Sequence, residues 1–175
     1  MSDLPAAHEQ RITSARKAFR EAHRRFLARL KAAPADAAER PSADGGWSAA
    51  QIAWHVAAVN AAFAALISGE RAAPPLPDGF AERSWDDISK TMPARIEASG
   101  RSIPPAGVKI GDALAALDES AEKLDAALSV LTPDRASTLG VTHHAVGTVN
   151  LYQVGEWATV HIIRHNIQAK RVLGA

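Results

Sequence analysis

The sequence predicts an all-α fold, a bundle of four long amphipathic helices and one short one. Apolar residues make up 47% of the 175 positions, and alanine is by far the commonest of them while aromatics contribute only 5%. Alanine loses no side-chain rotamer freedom in a helix and packs poorly in a strand, so the composition favours helix. Apolar positions also recur at three and four residues through five segments, separated by stretches rich in Pro, Gly and Asp. The length suits one domain with a sizeable core, and no internal repeat or linker divides residues 1–175.

The first helix is expected over Leu4 to Ala32, with Asp3 as its cap and Pro5 just inside. Its apolar stripe is Ile12, Ala15, Phe19, Ala22, Phe26 and Leu30. Pro34 to Gly46 reads as a loop. The second long helix opens on Ser48 and Gln51, an S-x-x-Q capping box, with Trp47 and Ile52 placed as a hydrophobic staple. Its stripe runs through His55, Val59, Ala62 or Phe63, and Leu66, and Gly69 closes it. Ser84 and Asp87 open a short helix that Pro93 must end, since proline has no amide hydrogen. A third long helix covers Asp112 to Leu131, with Leu114, Leu117, Ala121, Leu124, Leu128 and Leu131 inward, and Thr132-Pro133 stops it. The last begins near Asn150, with Gln153 as capping partner, and ends at Gly174. Its inward stripe is Leu151, Val154 or Gly155, Ala158, His161 or Ile162, His165, Ala169 and Val172.

Composition narrows the chemistry. The 20 Lys and Arg nearly balance 19 Asp and Glu, for a formal charge of +1, so no global field draws the protein to nucleic acid or an anionic membrane. Absence of cysteine removes disulfides, thiolate nucleophiles and cysteine-type zinc sites. The start, MSDLPAAHEQR, lacks an apolar signal core, and the apolar stretch around Ala57 to Ile67 is short and broken by Asn60. No membrane segment is therefore expected, and a cytoplasmic location follows. Residues 8 to 31 do carry eight Lys and Arg against two Glu. Phe19 and Phe26 belong to the core stripe, which leaves no aromatic for base stacking, so a solvated basic face is expected.

Three histidines stand where apolar residues should be. His55, His161 and His165 each fall on an inward stripe, and a buried imidazole needs partners for both ring nitrogens. His161 and His165, four apart on one helix, share a face with Cβ atoms roughly 5–6 Å apart. From there two rings can reach one ion at about 2.0–2.1 Å. His55, on the second long helix, can complete the set across the bundle. Three protein ligands leave a coordination position open, as catalytic sites do. Ile162 stands where a zincin would have glutamate, which excludes that class of protease. His143 and His144 read as loop residues before the last helix, and His8 as solvated. His23 is the remaining plausible ligand. Gln168, seven residues from His161, can face the same side, as a hydrogen-bond partner behind the ligands or as a stripe-edge residue, and Glu156 and Asn60 read as helix-surface residues.

The segments GWSAAQIAWH (Gly46 to His55) and HHAVGTVNLYQVGEWATVHIIRHNIQAKRVLG (His143 to Gly174) give the chain a family resemblance. It resembles the DinB-like superfamily, named for a DNA-damage-inducible protein. Trp47, Ser48 and His55 match its W-S-x6-H helix opening, and His144, Gly147, Trp157, His161, His165 and Gln168 match its H-x-G-type loop and H-x-x-x-H helix. The resemblance implies an up-down-down-up four-helix bundle and a divalent metal, zinc or nickel, on His55, His161 and His165. It further implies a small-molecule substrate, a low-molecular-weight thiol as cosubstrate, and a homodimer, with Trp85 or the loop after Leu66 as candidate contacts. The expected activity is a thiol-dependent S-transferase; a metal-dependent hydrolase and a non-enzymatic metal-stabilised module are the alternatives. Neither DNA binding nor polymerase activity is implied.

Overall fold

The computed structural model describes residues 4–93 and 96–174, and the cap expected at Asp3 lies outside them. Four long helices appear where the apolar spacing placed them: α1 (Leu4–Ala32), α3 (Ala49–Ser68), α5 (Ile110–Ser129) and α7 (Leu151–Leu173). The α1 stripe from Ile12 to Leu30 is buried throughout. Phe19 and Phe26 are fully buried, and truncating either to alanine would remove about 3–5 kcal/mol.

The helix ends follow their local chemistry. Ser48 Oγ accepts from the Gln51 amide at 3.1 Å and Gln51 Oε1 from the Ser48 amide at 3.0 Å, which fixes the phase of α3. Gly69 ends α3 in the left-handed region at φ +87°, and the Arg135 guanidinium donates to the Leu66 and Ile67 carbonyls there. α4 (Trp85–Thr91) is the expected short helix, with Ser84 Oγ accepting from the Asp87 amide. Asn150 caps α7 by accepting from the Gln153 amide at 2.9 Å; the Gln153 side chain does not reciprocate and donates to the Arg83 carbonyl.

Three elements depart from the expected loops. Residues Ala35–Glu39 form a short helix, α2, whose Ala38 is fully buried; the Ala-Asp-Ala-Ala-Glu run outweighs the neighbouring Pro34. Pro133–Thr138 is another, α6: Thr132 caps it and Pro133 takes the first helical position, where its missing amide costs nothing. Pro133 therefore starts a helix as well as ending α5. Residues expected as loop before α7 form an antiparallel hairpin, β1 (Gly140–His143) and β2 (Gly147–Asn150), in the register Gly140↔Asn150 to His143↔Gly147. Its β-branched Val141, Thr142, Thr148 and Val149 suit a pleated strand, and the Thr142 and Thr148 hydroxyls bond across it at 2.9 Å.

Contacts along the helices fix their directions. Arg11 meets Glu156 and Arg29 meets Asn166, so α1 and α7 run the same way. Arg16 meets Asp125 and His23 meets Asp118, so α5 opposes α1. Phe63 packs on Trp157 while His55 meets His161 and His165, so α3 opposes α7. Between α3 and α5, which share the most extensive contact, buried alanines on both sides let the backbones approach closely. α3 is long and apolar enough by length and composition to cross a membrane, contrary to the expectation from sequence, yet 61% of that window is buried within the protein. The basic face of α1 is also not simply solvated. Arg11, Arg16, Arg24 and Arg25 meet carboxylates at 2.6–2.9 Å, and Arg20 lies 3.5 Å from Asp125.

Gly140 begins the hairpin because nothing larger fits. A Cβ there would run into the Val149 carbonyl and the Leu76 side chain. Gly140→Ala is expected to lose about 1–3 kcal/mol in urea unfolding, the usual cost of overpacking; an unchanged midpoint would contradict this hairpin geometry.

Candidate metal centre

The capping box sets the phase of α3 so that His55, two turns on, turns inward and is 6% exposed. The Trp47 indole packs against its ring, with centroids 5.0 Å apart. His55 Nδ1 lies 2.7 Å from the carbonyl oxygen of Ser102, in the single 3-10 turn Gly100–Ser102 that packs on α3. On α7, His165 Nδ1 lies 2.8 Å from Gln168 Oε1, one helical turn further on. With these Nδ1 atoms engaged, the far nitrogens converge. His161 Nε2 is 3.2 Å from His55 Nε2 and 3.1 Å from His165 Nε2.

Hydrogen bonding alone cannot satisfy this arrangement. A carbonyl oxygen only accepts, so His55 and His165 each donate an Nδ1 proton, and a neutral ring then has a bare lone pair at Nε2. Both lone pairs face one nitrogen, His161 Nε2, which can offer one proton to one of them. The other lone pair is left facing that nitrogen without a proton of its own. His161 Nδ1 is meanwhile buried with no partner among the described residues. A cation accepted by all three Nε2 atoms removes the conflict. Three nitrogens at 2.0–2.1 Å from a tetrahedral ion lie roughly 3.3 Å apart, close to the separations found here. The residues therefore fit a divalent ion. Among the described residues no other group of three or more His, Asp or Glu could hold one, and no carboxylate joins these three.

Electrostatics point the same way. Burial, then His165, His55, Arg164 and His143, push the His161 pKa well below its usual value. Burial, His55 and Arg164 bring His165 down to about 4, against the opposing hydrogen bond from Gln168. Burial also lowers His55. All three rings are thus neutral at physiological pH, the form in which imidazole binds metal.

Other histidines are placed elsewhere. His23 Nε2 lies 3.0 Å from Asp118 between α1 and α5, so it is no ligand of this centre. His8, expected to be solvated, is partly buried, with Nδ1 2.7 Å from the Tyr152 hydroxyl. His143 lies at the end of β1 rather than in a loop, its ring 5.1 Å from that of Trp157, while His144 follows in the exposed turn. Glu156 joins a polar network, accepting from Arg11 at 2.7 Å and from the Trp85 indole at 2.9 Å. Asn60, read as a surface residue, is fully buried and its amide finds no partner among the described residues. Sequence reasoning missed the Ser102 carbonyl altogether, because a backbone group that orients a ligand leaves no residue-type signature.

Four long helices that bring three imidazoles to one point define a helical protein with a candidate metal centre. A model of the DinB superfamily matches residues 18–169, a span containing all three histidines, and the chain belongs to that superfamily. No curated protein and no solved structure matches the chain.

Two outcomes follow from this geometry. Gln168→Ala frees the His165 ring to rotate and is expected to weaken metal binding roughly tenfold to a hundredfold, measured by competition with a chromophoric chelator. The second concerns pH. In chelator-treated protein the unfolded chain binds more protons than the folded one between about pH 6.5 and the lowered folded value, about 4 for His165. Stability is therefore fully present above about pH 6.5 and falls as pH drops through that window, by up to about 1.4 kcal/mol per unit for His165. His165→Gln should flatten that part of the urea-midpoint profile.

Proposed function

We propose that residues 1–175 form one up-down-down-up four-helix domain and act as a metal-dependent S-transferase using a low-molecular-weight thiol. The observation that carries this reading is the convergence of three neutral Nε2 atoms with no fourth protein ligand among the described residues. A closed set of four ligands is the mark of a structural site, whereas three leave a place for an exogenous ligand. The pairwise helix directions, with α1 and α7 one way and α3 and α5 the other, support the bundle arrangement. Superfamily membership supports the thiol.

A divalent ion held there, zinc or nickel, would keep both positive charges beside uncharged ligands, and so would stabilise a bound thiolate over the thiol near neutral pH. The chain's own groups prepare that position. Ser102 and Gln168 hold two rings in one tautomer and one orientation, so the nitrogens need no reorganisation. Trp47 packs against the His55 ring and shields it from water on that side. A small electrophilic substrate would approach the open side, where the thiol sulfur would form a new C–S bond as the bond to the substrate's leaving group breaks, that group departing with the electron pair and the thiol proton passing to water.

Metal quantification tests the first half of this reading. Protein purified without a histidine tag should carry near-stoichiometric zinc or nickel, and His55→Ala and His165→Ala should each lose most of it. The second half requires that holo-protein consume a thiol and an electrophile in equal amounts. Turnover with water in place of thiol would make the protein a hydrolase instead, and unfolding on chelation without exchange of any ligand at the ion would make the metal structural.

A further inference from the structure

Beside the three ligands lies a fourth imidazole that the metal reading does not use. His143 closes β1, paired with Gly147, and its ring packs edge-on against Trp157, the residue one helical turn before His161 on the same face of α7. The Ala145 amide donates to His143 Nδ1 at 3.1 Å. A backbone N–H only donates, so Nδ1 holds the lone pair and a neutral His143 carries its proton on Nε2. That tautomer is the reverse of the one the carbonyls impose on His55 and His165. The two liganding rings are set to accept a cation, while His143 is set to donate. Resting on Trp157, it lies beside the turn of α7 that precedes His161. Burial and His144 both lower its proton affinity, so it stays a neutral donor at physiological pH.

The three ligands bring no negative charge, so a divalent ion held by them keeps its full charge. Such a centre draws an anionic ligand, and an anion there needs a hydrogen-bond donor from the protein. We propose that His143 is the ligand-orienting residue of the metal centre, donating its Nε2 proton to a small anionic ligand, thiolate or carboxylate, in the open coordination position. The proposal rests on the metal reading above. Hydrogen bonds to charged groups are among the stronger ones, so losing this donor should weaken anion binding roughly tenfold to a hundredfold.

The test uses full-length protein loaded with cobalt(II), with 2-mercaptoethanol as probe and the sulfur-to-cobalt charge-transfer band as readout. His143→Asn keeps an acceptor for the Ala145 amide but removes the distal donor. It should retain cobalt and the wild-type unfolding midpoint, yet bind the probe at least tenfold more weakly. His143→Gln, whose amide nitrogen reaches about as far as Nε2, should recover part of the loss, and His144→Asn should change nothing. Without any variant, the Nε2 proton resonance of His143 in zinc-loaded wild type should move on adding the probe while that of His144 does not. Wild-type affinity in His143→Asn, or a stationary His143 resonance, overturns the orienting role alone. Loss of cobalt from His143→Asn overturns it too, by making the residue a support for the metal. Failure of the wild type to take up cobalt overturns the metal reading itself.

Discussion

Two carbonyl oxygens, one on the backbone of Ser102 and one on the side chain of Gln168, decide what the three-histidine cluster can be. By accepting from the Nδ1 atoms of His55 and His165, they leave two lone pairs aimed at a third nitrogen. Three imidazoles without that constraint could share protons in a chain and remain a polar patch in the core. With it, protein groups alone cannot satisfy the cluster, and the cost of a buried unpaired polar atom is about 1–3 kcal/mol. The rest of the molecule serves to bring these groups together. The 3-10 turn is 47 residues from the ring it holds, and the cluster spans two helices that approach from opposite directions.

That long-range arrangement depends on register more than on strong interactions. Arg11 ties α1 to Glu82 in the loop before α4 and to Glu156 on α7, while Asn150 and Trp85 donate to the same two carboxylates. Burial alone would raise the Glu82 pKa, but hydrogen bonds from Arg11 and Asn150 outweigh it and hold the group below its usual range. Arg11 and Glu82 are still about a third exposed, at 30% and 38%, so each ion pair contributes no more than about 1 kcal/mol. The larger effect of the network is geometric. It anchors the first turn of α7 and the end of the hairpin, and so fixes how far along α7 the two liganding histidines fall relative to His55.

The four long helices and the meeting of His55, His161 and His165 were legible in the sequence because both rest on periodicity. Ile12 to Leu30 repeats at three and four without a break, Ser48 and Gln51 announce a helix start, and histidine at an inward position stands out against alanine and leucine. What escaped was local and short. The hairpin before α7 has only four residues per strand, and its Val-Thr and Thr-Val pairs on either side of Gly147 were outweighed by the histidines and glycines around them. Thr132-Pro133 stops one helix and starts the next, and a stop signal hides the start when both fall on the same dipeptide. Asn60 escaped for the opposite reason, since a single polar residue on an otherwise apolar helix carries no mark of which side it faces.

The hairpin that the sequence concealed has the most bearing on chemistry. Without it the chain would enter α7 directly, and nothing would hold a side chain over the helical turn before His161. Strand pairing places His143 there, Gly147 reverses the chain with φ +81°, a conformation most other residues adopt only at a cost, and Trp157 gives the ring a flat surface to rest on. His161 and His165 on the helix and His143 on the hairpin are tied together there, because the Leu151 amide donates to the Leu139 carbonyl at 3.1 Å and closes the hairpin onto the start of α7. A cation and a donor held at fixed separation would select ligands by the placement of negative charge rather than by shape, and under the proposed reading that selectivity would rest on the turn and strand preceding α7 as well as on the three histidines themselves.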